Sequence, residues 1–197
     1  MLLLVLLLLI TGCRGGDDRS AQGKGGTVLA MDTTVMADTM STEMRLKLEA
    51  GIVKNRVEGI YRIVKESYMA NGGIVQNEIL DKCYCSKEWN KLLMAVRYKE
   101  HLTNTLFFEV DYWSMARESA GLVSFDEFEV TDLTISTEKM TASVNFTVFE
   151  LDTYTPARVD LVYENGQWMI DNFHNLKYMV DARKSMRFYL INDFLQI

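Results

Sequence analysis

Apolar residues in the first half of the chain recur at the spacing of an α-helix. The pattern predicts a long helix from Thr42 to Met69, in which Gly51 marks a kink or a later start. Its buried stripe follows intervals of three and four residues: Val53, Val57, Ile60 and Val64. Ser86 predicts the cap of a second helix, Leu106–Glu118 a helical or irregular piece, and Tyr178–Phe194 a last helix.

The second half of the chain alternates between apolar and polar residues, as half-buried strands do. Phe128–Ser136 changes the parity of its apolar positions near Thr131-Asp132, which predicts a β-bulge. Three further strands are predicted: Ala142–Val148, Ala157–Tyr163 and Trp168–Phe173. Asn165-Gly166, between the last two, is the dipeptide that favours a two-residue hairpin turn.

Helices followed by a run of antiparallel strands predict an α+β domain. We expect the N-terminal helices to pack in a curved antiparallel sheet that wraps the long first helix, with a C-terminal helix after it. A sheet curved in this way leaves an open end to its core, where a ligand pocket would lie.

The chain begins with an uncharged apolar run, Met1–Ile10, which is shorter than the ~20 residues of a membrane-spanning helix. Leu9–Cys13 resembles the lipobox of bacterial lipoproteins, and the resemblance implies cleavage before Cys13 and lipid on its thiol. Because no Lys or Arg precedes Cys13, a simple cleaved signal or a start upstream of Met1 stays open. We expect a signal peptide over 1–12, a lipidated flexible tether over 13–40 and one domain over 41–197.

Composition and charge narrow the class of partner. The chain has 48% hydrophobic and 24% charged residues, which is typical of a globular protein. Its net charge of −6 argues against nucleic acid, whose phosphates need a basic surface. The same charge argues against electrostatic attachment to anionic lipid, so the membrane contact is expected to be the covalent lipid on Cys13.

Four segments carry a resemblance to a known family: the first helix with Tyr61 and Tyr68, Cys85–Asn90, Asp111–Trp113 and Val162–Asp171. Together they resemble an uncharacterised family of bacterial lipoproteins with a nuclear transport factor two-like, cystatin-like cone fold. The resemblance spans Thr42–His174, and its most specific part is the final hairpin. It implies a fold and a location in the cell envelope, and Arg14 instead of Asp is compatible with the Gram-negative outer membrane. It implies no reaction.

The candidate ligand-binding residues are Asp111, Tyr112 and Trp113. They belong to an acidic tract that also contains Glu109, Glu118, Asp126, Glu127, Glu129 and Asp132. An apolar wall beside a carboxylate suits a cationic or polyhydroxylated small molecule, because aromatic faces attract cations. A solvated acidic rim is the alternative.

Other constellations give no catalytic or metal assignment. An enzyme of this superfamily would need a buried carboxylate beside a Tyr, and the candidates are Asp111, Asp160, Asp171 and Tyr163. Cys83 and Cys85 are expected to be two reduced, partly buried thiols, with a strained disulfide between them as the alternative. The histidines, His101 and His174, have no ligand spacing, so no metal and no cofactor are expected.

Three functions follow from these features. The first is a lipid-anchored, non-enzymatic binding module for a small ligand or peptide. The second is a protein–protein scaffold or immunity-type protein that uses the basic last helix with Arg183, Lys184 and Arg187. The third is a lyase- or isomerase-like enzyme with its carboxylate inside the cone.

Overall fold

A computed structural model describes residues 41–70, 77–108, 111–114, 123–124, 128–150 and 153–192 of the chain. The chain divides into two units after Ser41, and all the elements given below belong to the second unit. The predicted signal peptide, Cys13 and the predicted tether lie outside the described residues. In the part of the chain that is described, every helix is too short or too polar to cross a membrane.

Among the described residues, three helices precede the strands along the chain and a fourth follows them. The helices are α1 (Thr42–Ala70), α2 (Asn77–Tyr84), α3 (Lys87–Thr103) and α4 (Ala182–Ile191). The strands are β1 (Val123–Ser124), β2 (Val130–Ser136), β3 (Thr141–Glu150), β4 (Thr153–Glu164), β5 (Gln167–Asn175) and β6 (Val180–Asp181). The fold is therefore α+β, as predicted.

The strands form one antiparallel sheet in the order β1-β3-β4-β5-β6, and β2 pairs with β3 next to β1. The register shifts between Val130 and Asp132 in β2, which confirms the predicted bulge. A second shift lies between Asp160 and Leu161 in β4. Each shift bends its strand and increases the local twist.

A tight hairpin joins β4 and β5, as predicted. Asn165 and Gly166 form its turn with φ of 51° and 82°. Positive φ at both central residues is the geometry of a type I′ turn, which matches the right-handed twist of the paired strands. The turn fixes the register in which Tyr163 lies opposite Trp168.

The long first helix is confirmed, and it runs through Gly51 without interruption. Its buried side packs against β2 and β3. The interior between the helices and the sheet is filled mainly by aliphatic and aromatic side chains; the largest fully buried ones are Trp89, Trp113, Tyr61, Phe146, Phe173, Ile60, Leu161, Ile170 and Met186. Tyr61 and Phe146 are in ring contact, with centroids 4.6 Å apart. Close packing of this kind contributes most of the stability of a domain.

Ser86 caps α3, as predicted, because its hydroxyl accepts the backbone N–H of Trp89 at 3.0 Å. The backbone N–H of Ser86 also donates to the carbonyl of Ile170 in β5 at 2.7 Å. The start of α3 is thus fastened to the sheet.

Two helix boundaries differ from the predictions. Helix α2 was not predicted, because its eight residues carry only a short apolar pattern. The last helix begins at Ala182 instead of Tyr178. Met179 has φ of 54°, which interrupts a right-handed helix, and Asp181 then caps α4 by accepting the N–H of Lys184 at 2.9 Å.

Candidate functional site

Asp111, Tyr112 and Trp113 lie in a turn between α3 and β1. The half-buried Asp111 carboxylate accepts the backbone N–H of Trp113 at 3.3 Å and that of Ser114 at 2.9 Å. Asp111 therefore organises the turn as an Asx motif. Tyr112 and Trp113 point inward and are 6% and 0% exposed. The contact of these three residues with a ligand stays a prediction.

The polar ends of both rings converge on Asp81, a carboxylate of α2 that is 1% exposed. Tyr112 donates its hydroxyl to Oδ2 at 2.6 Å, and Trp113 donates Nε1 to Oδ1 at 3.0 Å. The thiol of Cys85 lies 3.8 Å from Oδ1, and Arg97 Nη2 lies 3.4 Å from Oδ2. Because Arg97 is partly exposed, the carboxylate lies one side chain beneath the surface.

These four donors fill the positions at which a carboxylate accepts hydrogen bonds, since each oxygen offers about two lone pairs. Burial raises the pKa of Asp81, and the bonds from Tyr112 and Trp113 and the charge of Arg97 only partly offset this effect. Burial, followed by the charge of Asp81, raises the pKa of Tyr112. With its acceptor positions occupied, Asp81 ties the turn to the helices and has no free lone pair for a substrate proton.

Sequence reasoning missed Asp81, although it expected a buried carboxylate beside a Tyr. The signal was the position of Asp81 next to buried Leu80 and four residues before buried Cys85, on the inner side of α2. That signal is weak, because Glu78 and Lys82 form an exposed ion pair at 2.8 Å on the same short helix. Local composition therefore indicates a solvated helix.

An aromatic wall, Phe107, Phe108 and Tyr189, lies beside the Asp111 turn. The centroid of Phe107 is 4.7 Å from those of Phe108 and Tyr189, and Phe108 is 4.8 Å from buried Tyr112. All three rings of the wall are only partly buried. The ammonium of Lys99 lies 4.1 Å from the centroid of Tyr189, so this ring already engages a cation. The wall gives the site solvent-accessible aromatic faces on a rigid base.

A second polar network lies across β3, β4 and β5. Asp160 accepts the hydroxyl of Ser143 at 2.8 Å, and its other oxygen lies 2.6 Å from Nε2 of buried His174. Arg158 Nε lies 3.2 Å from Asp160, and Asn172 Nδ2 lies 3.0 Å from the His174 ring. The residues alternate with core residues along β4 and β5, so they share the face of the sheet opposite the core.

The remaining catalytic candidates lie apart from the Asp111 turn. Asp171 accepts the hydroxyl of Ser86 at 2.5 Å and the guanidinium of Arg183. Asp160 belongs to the network with His174. Tyr163 is exposed and packs on Trp168, with ring centroids 5.4 Å apart. The structure does not bring these carboxylates together with Asp111.

The cysteine predictions have different outcomes. Cys85 is a free, buried thiol, as predicted, and burial followed by the charge of Asp81 raises its pKa. The Cys83–Cys85 bridge is therefore not formed. Cys83 is disulfide-bonded to a partner outside the described residues, so the prediction of a reduced thiol is wrong there. Within the described ranges, no three His, Cys, Asp or Glu side chains are grouped to hold a metal ion.

The acidic tract is described only in part. Glu129 and Asp132 are exposed at the start of β2, and Asp111 is half-buried. Four of its members lie outside the described residues: Glu109, Glu118, Asp126 and Glu127. A common cleft mouth for the tract stays a prediction.

Removal of one donor to Asp81 should destabilise the domain. Tyr112→Phe keeps the ring but leaves Oδ2 of a buried carboxylate with one bond fewer, so we expect a loss of about 1–3 kcal/mol in the free energy of unfolding. Urea denaturation at pH 7 measures it. Tyr98→Phe, on an exposed ring, is the matched control and should have little effect. Equal stability of the two variants would contradict the role of Asp81.

The Asp160 network should make stability depend on acid pH. Burial acts to raise the pKa of Asp160, but bonds from His174 and Ser143 and nearby positive charge lower it below its ordinary value. Its stabilising contribution is therefore complete above about pH 4 and is lost as the pH falls through the folded-state pKa.

Asp160→Asn should accordingly be less stable than the parent at pH 6, with a difference that narrows below pH ~4. Thermal unfolding followed by circular dichroism across this range checks the expectation. Asp132→Asn, at an exposed position of β2, should stay close to the parent throughout. A constant difference between Asp160→Asn and the parent at all pH values would rule the linkage out.

Comparison with known proteins adds a single distant likeness. No family model matches the sequence, and no curated protein matches it. A solved structure that is similar is the phospholipid-binding protein from Ralstonia solanacearum in complex with a phospholipid. The two chains share 8% identity with a TM-score of 0.41, over 71% of this chain and 83% of that chain. A likeness at this level leaves the family and the ligand of the present chain to be argued from its own residues.

Proposed function

We propose that this protein is a lipid-anchored, non-enzymatic binding module of the cell envelope. The observation that carries the proposal is the aromatic wall beside the Asp111 turn: three rings stay accessible while the Asp81 carboxylate behind them is saturated by protein donors. A site with rigid aromatic faces and no available acid or base suits recognition better than proton transfer.

The finer architecture is proposed to be a nuclear transport factor two-like cone. The packing of α1 against β2 and β3, the bulges in β2 and β4, and the final hairpin support a sheet that curves around the first helix. In such a cone the aromatic wall would lie near the open end. The core beneath it is occupied by rings, because Trp113 and Tyr112 both contact Phe173 with centroids 4.9 and 5.2 Å away. The ligand is therefore expected to bind against the wall instead of deep inside.

The chemistry of the wall selects a class of ligand. Aromatic faces bind sugars, aromatic side chains and cations, and the Asp111 carboxylate at the edge adds a preference for positive charge or hydroxyl groups. We expect a cationic or polyhydroxylated small molecule, or a peptide that presents such a group.

An enzyme is less well supported. Asp111 and Asp171 are half-buried, but the Asp111 carboxylate accepts bonds from its own turn and that of Asp171 from Ser86 and Arg183. A lyase or isomerase would require one of these bonds to be given up before a proton could be taken from a substrate.

A protein–protein scaffold remains the second candidate, because α4 is basic. Arg183 and Arg187 lie 3.9 and 3.6 Å from Glu88 of α3, and Arg183 also binds Asp171. Charge reversal at these two arginines would therefore damage helix packing as well as a partner contact. Lys184, which is exposed, is the cleaner position for testing a scaffold.

Ligand binding should depend on the wall. The purified mature protein in detergent is screened by thermal shift against cationic metabolites, envelope glycans and peptides, and hits are measured by calorimetry. Phe107→Ala should weaken a hit about tenfold or more, since stacked rings contribute ~1 kcal/mol beyond area burial. Tyr154→Ala, an exposed ring on β4, should bind as the parent does. A screen without hits, or equal weakening by both variants, would reject the binding module.

Lipid attachment should map to Cys13. Mass spectrometry of the N-terminal peptide is expected to show a diacylglyceryl thioether and an acylated amine, and Cys13→Ser should abolish labelling by palmitate. Cys85→Ser is the matched control and should keep the label, because Cys85 is buried. One sulfur cannot hold both a thioether and a disulfide, so the same peptide shows whether Cys13 pairs with Cys83. Such a pair would refute the anchor.

A further inference from the structure

Helix α3 exposes a line of large apolar side chains. Met94, Tyr98 and Leu102 follow each other at four-residue spacing and are 65–69% exposed. They lie on the side of α3 opposite its buried residues Trp89, Leu93 and Val96. A stripe of this length extends about 12 Å along the helix. Exposed apolar residues in a contiguous set usually mark an interaction surface.

Cations flank the stripe, and the carboxylates of α3 point elsewhere. Lys87 and Lys91 occupy the same side of the helix and are exposed. Glu88 is directed towards α4, where Arg187 lies 3.6 Å away. Glu100 accepts the backbone N–H of Phe107 at 2.6 Å. The acidic group nearest to this face is Glu164 of β4, which accepts the backbone N–H of Lys87 at 3.2 Å.

The neighbouring helix repeats the combination. On α4, Phe188 and Ile191 are 67% and 64% exposed, and Lys184 and Arg187 are exposed beside them. The two helices pack against each other, since Lys99 of α3 donates to a carbonyl of α4. We call the exposed sides of α3 and α4 the basic-apolar face.

The charge of the chain is unevenly distributed. Helices α3 and α4 contain seven Lys or Arg and two Glu, a net charge of +5, whereas the whole chain has −6. The rest of the chain therefore carries −11. The net charge argues against adsorption of the whole molecule to an acidic surface, but the segregation gives one face the opposite sign.

We propose that the basic-apolar face docks on the surface of an anionic phospholipid membrane. Exposed cations attract acidic headgroups, and the apolar side chains enter the boundary between headgroups and acyl chains, as in interfacial helices. Tyr98, at the middle of the stripe, has the amphipathic ring that favours this depth. The acidic remainder of the domain is repelled by the same lipids, so one orientation is selected.

Docking rests on the proposed lipid anchor only for its strength. A tether on Cys13 would keep the domain close to the bilayer, so a weak face binds as an intramolecular event at high effective concentration. A single lipid-type signal is often marginal, and a second contact with the surface makes attachment durable.

Depth measurements on the mature protein test the proposal. A nitroxide is attached at Met94→Cys, or at Met140→Cys on the β2–β3 turn as control, with the parent protein labelled in parallel for background. On vesicles with one quarter phosphatidylglycerol, the label at position 94 should gain collision with oxygen and lose collision with a water-soluble nickel complex. The label at position 140 should not change. Vesicles of phosphatidylcholine alone should give little protection at either position.

Charge reversal gives an independent readout. Lys91→Glu with Lys184→Glu should lower partitioning to the acidic vesicles by roughly one to two orders of magnitude, because each surface cation contributes about fivefold. Lys54→Glu with Lys139→Glu changes the net charge equally on other elements and should have a smaller effect. Circular dichroism of each variant confirms that it is folded.

The outcomes separate docking from anchoring. If position 94 stays open to the nickel complex on acidic vesicles while the protein remains bound, docking is wrong and the anchor stands. If Cys13→Ser binds vesicles as tightly as the parent and position 94 is still protected, docking stands without the anchor. Protection at position 94 in the absence of vesicles, rising with protein concentration, would assign the face to a second copy and overturn the proposal. Equal effects of the two charge-reversal pairs would also overturn it.

Discussion

A carboxylate inside a protein must be supplied with hydrogen-bond donors, because water no longer solvates it. Asp81 meets this requirement with donors from three parts of the chain: Cys85 next to α2, Arg97 from α3, and Tyr112 and Trp113 from the following turn. Each of these segments is short or irregular on its own. The shared need to satisfy one carboxylate gives them a common arrangement, so the rings above them have defined positions.

The packing of the rings depends on that arrangement. With Trp113 and Tyr112 held by their polar ends, their faces are free to contact Phe173 of β5, and Tyr112 supports Phe108 in the wall. Burial of large rings supplies most of the energy, and the polar node determines their orientation. A purely apolar centre of equal volume would permit more than one arrangement of these rings. We infer that the node contributes to the uniqueness of the site more than to its total stability.

Local signals allowed much of the fold to be predicted from the sequence. The Ser86 cap, the Asn165-Gly166 turn and the parity change in β2 depend on residues close together in the chain, and each was confirmed. The role of Asp81 could not be predicted, since it depends on Tyr112 thirty-one positions away. For the same reason Tyr112 and Trp113 were recognised as important residues, while their orientation towards the core was not foreseen.

The attachment of Ser86 to β5 has a consequence for the order of folding. Its hydroxyl binds Asp171 and its N–H binds Ile170, across more than eighty positions of sequence. The corner between α2 and α3 therefore cannot reach its final environment until the last long strand has been synthesised. Such late closure favours slow folding and leaves the first half of the chain uncommitted during synthesis. A polypeptide that must be threaded through a translocation channel benefits from this delay, because it arrives there without a folded domain to undo.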